Sequence, residues 1–167
     1  HKTRSQTVFG NGNLDAKAMI VGRDPGEKED HAGFCFVGNS GQRLNMALKK
    51  AGIRRDSLYI TNLNKCKSVN NKGPTEIERQ ACEKWLIREI ELVKPERLIL
   101  LGNEVCRFLL GEVGAITRIS GKKYFDINLK LYLFPIFHPS YILRKSNDLE
   151  LQDKFDLHIK NAILGEI

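Results

Sequence analysis

Long apolar runs are missing from this 167-residue chain. No stretch approaches the roughly 20 residues that a membrane-spanning helix requires, which excludes a bilayer-embedded helical protein. The opening His1-Lys2-Thr3-Arg4 has neither an apolar signal core nor an initiating Met, so the chain reads as trimmed at its N-terminus and as cytoplasmic, nucleoid-associated if prokaryotic. Cysteine is scarce, at Cys35, Cys66, Cys82 and Cys106 only, and without a signal segment reduced thiols or metal ligands are expected in place of disulfides. Repeats, low-complexity tracts and linkers are absent too, which gives one domain over residues 1–167; a monomer is expected. A surplus of acid is also lacking. The chain carries 27 Lys and Arg against 20 Asp and Glu, net +7 with a pI near 9.3. That balance suits a polyanion without identifying one. What is present is 41% apolar residues, enough at this length for a sizeable core.

Apolar runs alternate with helical patterns. Strands are predicted at about Ala16–Val21, Ser57–Leu63, Arg97–Leu101 and Leu129–Phe137. Helices are predicted from Ser40 as N-cap to Gly52, from a Thr75-Glu76-Ile77-Glu78 capping box to about Lys94, over Glu104–Leu110, and over about Leu149–Leu164. Ile77, Ala81, Trp85, Ile90 and Val93 mark the expected buried stripe of the longest helix. Cys106 reads as core and His158 as a surface or packing residue. Gly10-Asn11-Gly12 precedes the first strand, which argues against a phosphate loop. Together the elements predict an α/β fold, three layers α/β/α around a small, mostly parallel four-stranded sheet.

Three loops follow predicted strands: Gly22-Arg23-Asp24-Pro25-Gly26, Asn62-Leu63-Asn64-Lys65-Cys66 and His138-Pro139-Ser140-Tyr141. Open parallel sheets collect ligands beyond the carboxyl ends of their strands, so an Asp, an Asn and a His become candidates for one pocket. Gly33-Phe34-Cys35-Phe36-Val37-Gly38 adds aromatic residues that either cap the core or stack on a flat ligand. The Lys65–Pro74 loop is basic and turn-rich, as a solvated loop or a nucleic-acid contact would be.

In order and spacing these words resemble the uracil-DNA glycosylase superfamily, most closely its iron–sulfur family 4 branch. The similarity runs from His1-Lys2-Thr3-Arg4 through Gly22-Arg23-Asp24-Pro25-Gly26, Glu29-Asp30, Gly33-Phe34-Cys35-Phe36-Val37-Gly38-Asn39-Ser40-Gly41, Thr61-Asn62-Leu63-Asn64-Lys65-Cys66 and Asn71-Lys72-Gly73-Pro74 to His138-Pro139-Ser140-Tyr141-Ile142-Leu143-Arg144. The resemblance implies a monofunctional hydrolase that flips uracil out of DNA and cleaves its N-glycosidic bond. Gly22, Arg23, Phe36 and Asn62 would then bind the base, Phe36 by stacking and Asn62 by pairing with the pyrimidine amide edge. Asp24 and His138 would be catalytic, Asp24 at the attacking water and His138 at the departing uracil. Ser40, Gly41, Lys65, Lys67, Ser140, Tyr141, Leu143 and Arg144 would meet the DNA.

The departures from the family pattern are specific. Arg23 stands where family 4 usually has Glu, Asp24 where it has Ala, and Cys35 where it has Pro before the stacking Phe. Asp24 resembles the water-activating Asp of family 1. Arg23 either pairs with Asp24 or points to a phosphate. Cys66 and Cys82 match the downstream half of the family 4 ligand set for a [4Fe–4S] cluster, whose other two ligands are expected upstream of His1. Two alternatives remain: a glycosylase of this fold for another modified base, and a catalytically weak DNA-binding domain of a larger phage or repair protein.

Overall fold

A computed structural model describes residues 4–111 and 114–166; residues 1–3 of the predicted N-terminal arm lie outside them. Strand β1 (Asn11–Gly12) precedes β2 (Ala18–Gly22), followed by helices α1 (Glu27–Ala32) and α2 (Asn39–Lys50). Then come β3 (Tyr59–Asn62), α3 (Glu76–Val93), β4 (Arg97–Leu101), α4 (Asn103–Leu110) and α5 (Ile116–Ile119). Strands β5 (Tyr124–Asp126) and β6 (Leu131–Ile136) and helices α6 (Pro139–Arg144) and α7 (Leu149–Leu164) complete the described chain.

The sheet has six strands among the described residues, not the four expected, in the order β1-β3-β2-β4-β6-β5. The inner four are parallel and are the four that were predicted. The two additions are antiparallel edge strands of two and three residues, too short to show an alternating pattern. Alternation along the inner strands divides the core. Ala18, Ile20, Ile99, Leu101, Phe134 and Ile136 pack with Leu44, Leu48, Phe155 and Ile159 of α2 and α7. Met19, Val21, Leu98, Leu100 and Leu133 pack on the other face with Leu86, Ile90 and Val93 of α3 and with Val105 and Cys106 of α4. Three layers result, and no described helix is long and apolar enough to cross a membrane.

Helix α3 departs from its predicted stripe. The Thr75–Glu78 capping box forms, but Ile77 and Trp85 are exposed, and Leu86, Glu89, Ile90 and Val93 are the buried residues. Helix α3 packs on the sheet from Leu86 onward; just before that, the exposed Trp85 meets Phe9 edge-on at 5.7 Å. Helix α2 begins at Asn39 with Gly38 as N-cap, so Ser40 lies inside the first turn instead of capping it.

Candidate active site

The chain leaves β2, turns to β3 on one side, and crosses to β4 on the other, so the order reverses beside β2. A cleft of about 630 Å³ opens there, beyond the carboxyl ends of all four parallel strands. Its lining includes Arg23 and Asp24 after β2, Asn62 at the end of β3, Asn103 and Glu104 after β4, and His138 after β6. Phe36, Ser40, Ser140 and Arg144 line it as well.

One wall is neutral and tightly packed. Gly22 is its contact point: a Cβ there would sit 2.3 Å from Asn62 Oδ1 and 2.6 Å from the Phe36 ring. No side chain larger than hydrogen fits between them, and both Phe36 and Asn62 are buried. Phe36 adopts a left-handed backbone, φ 53°, a conformation that costs a non-glycine residue about 1 kcal/mol or more. Two neighbours hold it there. A Cβ on Gly41 would lie 1.8 Å from the Phe36 carbonyl oxygen, so only glycine allows α2 to start against this turn. The buried Glu29 carboxylate accepts from the backbone N–H groups of Val37 at 3.0 Å and Gly38 at 2.8 Å. Of the two aromatic candidates in this loop, Phe36 thus turns inward and Phe34 is exposed.

The opposite wall is ionic. Asp24 Oδ1 accepts from Arg23 Nε, and Asp24 Oδ2 accepts from both the hydroxyl and the backbone N–H of Ser68, the latter at 3.3 Å. The same Ser68 hydroxyl accepts from Gly73 N–H at 3.2 Å, which ties the basic loop to Asp24. Arg23 also pairs with Glu104 at 3.0 Å. Of the two orientations left open for Arg23, the structure shows pairing with Asp24.

His138 stands between the walls as N-cap of α6, a helix read from sequence as loop. Its Nδ1 accepts from Ser140 N–H at 3.1 Å and lies 2.8 Å from the Ser140 hydroxyl. Burial, helped by Arg23 and Arg144, pushes the imidazole down to about 4 against the opposing pull of Asp24. The ring is therefore neutral near pH 7. A neutral imidazole that accepts at Nδ1 carries its proton on Nε2, and so has one donor to offer. Its centroid lies 6.0 Å from that of Phe36.

Several expected DNA contacts take other places. Lys65 is a correction: it is 1% exposed, and its Nζ donates to Glu89 at 2.6 Å, Thr61 Oγ1 at 2.7 Å and the Asn62 carbonyl at 2.6 Å. A cation enclosed this way cannot reach a phosphate; it holds the strand end that carries Asn62. Gly41 is likewise buried, and acts on Phe36 instead of on DNA. Lys67 is partly exposed, outside the cleft lining and near Asp30. Leu143 and Arg144 are exposed on α6, while Tyr141 stacks on Phe137 with 5.4 Å between centroids. Residues that sequence reasoning gave no role include Glu29, Ser68, Glu89 and Glu104. Two left a signal: Glu29, within the matching Glu29-Asp30 word, and Glu89, an acid flanked by Leu86, Ile90 and Val93 on a buried helix face.

For a four-thiolate cluster the described residues offer half a set. Cys66 and Cys82 are partly exposed, and Cys66 Sγ accepts from Arg4. Cys35 and Cys106 are buried with thiols pushed up to about 12 by burial, which makes them poor thiolate donors. No group of three or more His, Cys, Asp or Glu is arranged to hold a metal among the described residues.

Residues 9–162 match the uracil DNA glycosylase superfamily. The chain belongs to that superfamily. It is 40% identical over 151 residues to a type-4 uracil-DNA glycosylase of Thermotoga maritima, covering 89% of this chain and 78% of the relative. A type-4 uracil-DNA glycosylase of Archaeoglobus fulgidus is 33% identical over 174 residues, covering 100% and 84%. A DNA polymerase of Bacillus phage SP01 is 31% identical over 158 residues, which span 93% of this chain but 16% of the polymerase.

Proposed function

We propose that the cleft binds a uracil flipped out of DNA and hydrolyses its N-glycosidic bond, as the first step of base excision repair. The observation that carries this reading is the convergence of Phe36, Asn62 and the neutral His138 on one cleft, in a chain of this superfamily. Phe36 stacks on the base. The Asn62 carboxamide donates to uracil O4 and accepts from N3–H, a pairing that cytosine's exocyclic amine does not match. His138 donates from Nε2 to uracil O2 as negative charge grows on the leaving base, the kind of pre-aimed electrostatic support that supplies large catalytic terms.

Asp24 faces the sugar. Fixed by Arg23 and Ser68, its carboxylate supports positive charge developing at C1′ and orients the water that attacks there. Arg23 acts as its holder. Ser40, Ser140 and Arg144 at the cleft and Lys67 beside it meet phosphates, aided by the N-terminus of the 12-residue helix α2, which no side chain caps. Leu143, exposed on α6, enters the stack that the flipped base leaves, with Tyr141 packed on Phe137 beneath it.

Cys66 and Cys82 contribute two of the thiolates for a [4Fe–4S] cluster, with the remaining ligands outside the described residues. When bound, such a cluster supplies a cross-link between the basic loop and α3. The test of the whole reading is incubation with a uracil-containing oligonucleotide followed by alkali. Strand scission at uracil is the expected result; scission only at another lesion, or binding without scission, contradicts it.

A further inference from the structure

The Asn62 carboxamide can read a base edge only if its oxygen and nitrogen are held in one order. Against Asn62, and not itself among the residues that line the cleft, stands Cys35, fully buried. Asn62 Nδ2 lies 3.6 Å from Cys35 Sγ. The same sulfur lies 3.4 Å from the carbonyl oxygen of Phe9 and donates to it.

The backbone of Cys35 is pinned at both ends. Its N–H donates to Asn11 Oδ1 at 3.0 Å, and its carbonyl accepts from Arg55 Nη2 at 2.7 Å. The thiol therefore has little freedom in where it points. Burial pushes it up to about 12, so it remains S–H. A thiol has one proton, and a carbonyl can only accept. With that proton committed to Phe9, the sulfur can only accept from Asn62. Nitrogen facing the sulfur is the favoured order, and the flipped amide would set its oxygen against sulfur lone pairs.

We infer that Cys35 is a specificity-positioning residue: its thiol, oriented by the Phe9 carbonyl, holds the Asn62 carboxamide in the order that reads uracil and rejects cytosine. A flipped carboxamide would offer an acceptor to cytosine N4–H and a donor to N3, the complement of the wrong base. The inference rests on the uracil reading above and goes beyond it by naming what fixes the amide.

The test compares wild type, Cys35→Ala and Cys35→Ser for binding to duplexes carrying 2′-fluoro-deoxyuridine or 2′-fluoro-deoxycytidine at one site. The fluorine suppresses cleavage, so the ratio of the two dissociation constants reports base selection alone. Melting curves establish that each variant is folded. Cys35→Ala removes the acceptor and should narrow the uracil-to-cytosine ratio roughly three- to tenfold, the scale of one modest hydrogen bond. Cys35→Ser keeps both a donor for Phe9 and an acceptor for Asn62, and should restore the ratio to within about twofold of wild type. A purely packing role for Cys35 would weaken both ligands together and leave the ratio unchanged, which overturns the inference. Loss of selectivity in both variants alike also overturns it, because the hydroxyl meets the same hydrogen-bond requirement. If wild type itself neither prefers the uracil analogue nor excises uracil, the underlying reading falls and the inference with it. Wild-type excision with an unchanged ratio in Cys35→Ala defeats the inference alone.

Discussion

The two walls of the cleft are built on opposite principles. Gly22, Phe36 and Asn62 make a neutral surface, closed to the width of a missing Cβ and backed by buried hydrogen bonds. Arg23, Asp24, Ser68 and Glu104 make an ionic surface whose charges hold one another. The first has the properties needed to choose a base, because shape and a fixed donor–acceptor order discriminate where charge does not. The second has those needed to drive bond cleavage, because pre-aimed charge acts on whatever sugar is presented. His138 stands between the two walls, kept neutral mainly by burial, and in the proposed reaction it serves both.

The comparison can be broken most forcefully from below the neutral wall. Lys65→Met leaves Glu89 buried without its cation and should lower unfolding free energy by about 3–5 kcal/mol, read by denaturant melts. A loss below about 1 kcal/mol, the range of exposed pairs, would mean that the Lys65–Glu89 pair is not what holds the Asn62 strand end. Next comes His138→Ala, expected to slow single-turnover uracil excision on the order of 10²–10³-fold with DNA binding retained. Retained excision would move the leaving-group role elsewhere. Gly22→Ala forces Phe36 and Asn62 apart and should cost on the order of 10²-fold in the same assay. Unchanged turnover would show that the wall yields.

The smallest effect is in pH. His138 is depressed to about 4 in the fold from an ordinary value of 6.5. Its neutral form is thus the folded form, and the stability it contributes is present above about 6.5 and lost as pH falls toward 4. Excision should stay flat with respect to His138 from neutrality to about pH 5 and decline on approach to pH 4. Imidazole ¹⁵N shifts showing an Nε2–H tautomer at pH 7 would support the assignment, and a charged ring at that pH would contradict it.

How much of this was legible in sequence depends on what each feature is made of. The inner strands, buried on both faces, announce themselves as apolar runs, and Arg97–Leu101 and Leu149–Leu164 coincide with their predicted bounds. The edge strands Asn11–Gly12 and Tyr124–Asp126 owe their pairing to neighbours, so no local pattern marks them. Helix α6 escaped notice because a His side chain caps it in place of Ser, Thr, Asp or Asn. The lining residues were readable as strand-end polar groups; their supports were not. Ser68 on Asp24, Glu29 on the Phe36 loop and Glu89 on Lys65 are contacts between residues 44, 8 and 24 positions apart, made only by the fold. Lys65 shows the cost: within a basic loop it reads as a phosphate contact, yet burial and an ion pair give it a different task.

The division of labour between the walls is tested most directly by measuring single-turnover excision of uracil and of cytosine by Asp24→Asn and Asn62→Asp side by side. Asp24→Asn should slow uracil excision on the order of 10²-fold while the uracil preference stays as in wild type. Asn62→Asp should shift the preference toward cytosine, with a change in discrimination worth roughly 1–3 kcal/mol. A changed preference in Asp24→Asn, or an unchanged one in Asn62→Asp, would contradict the account.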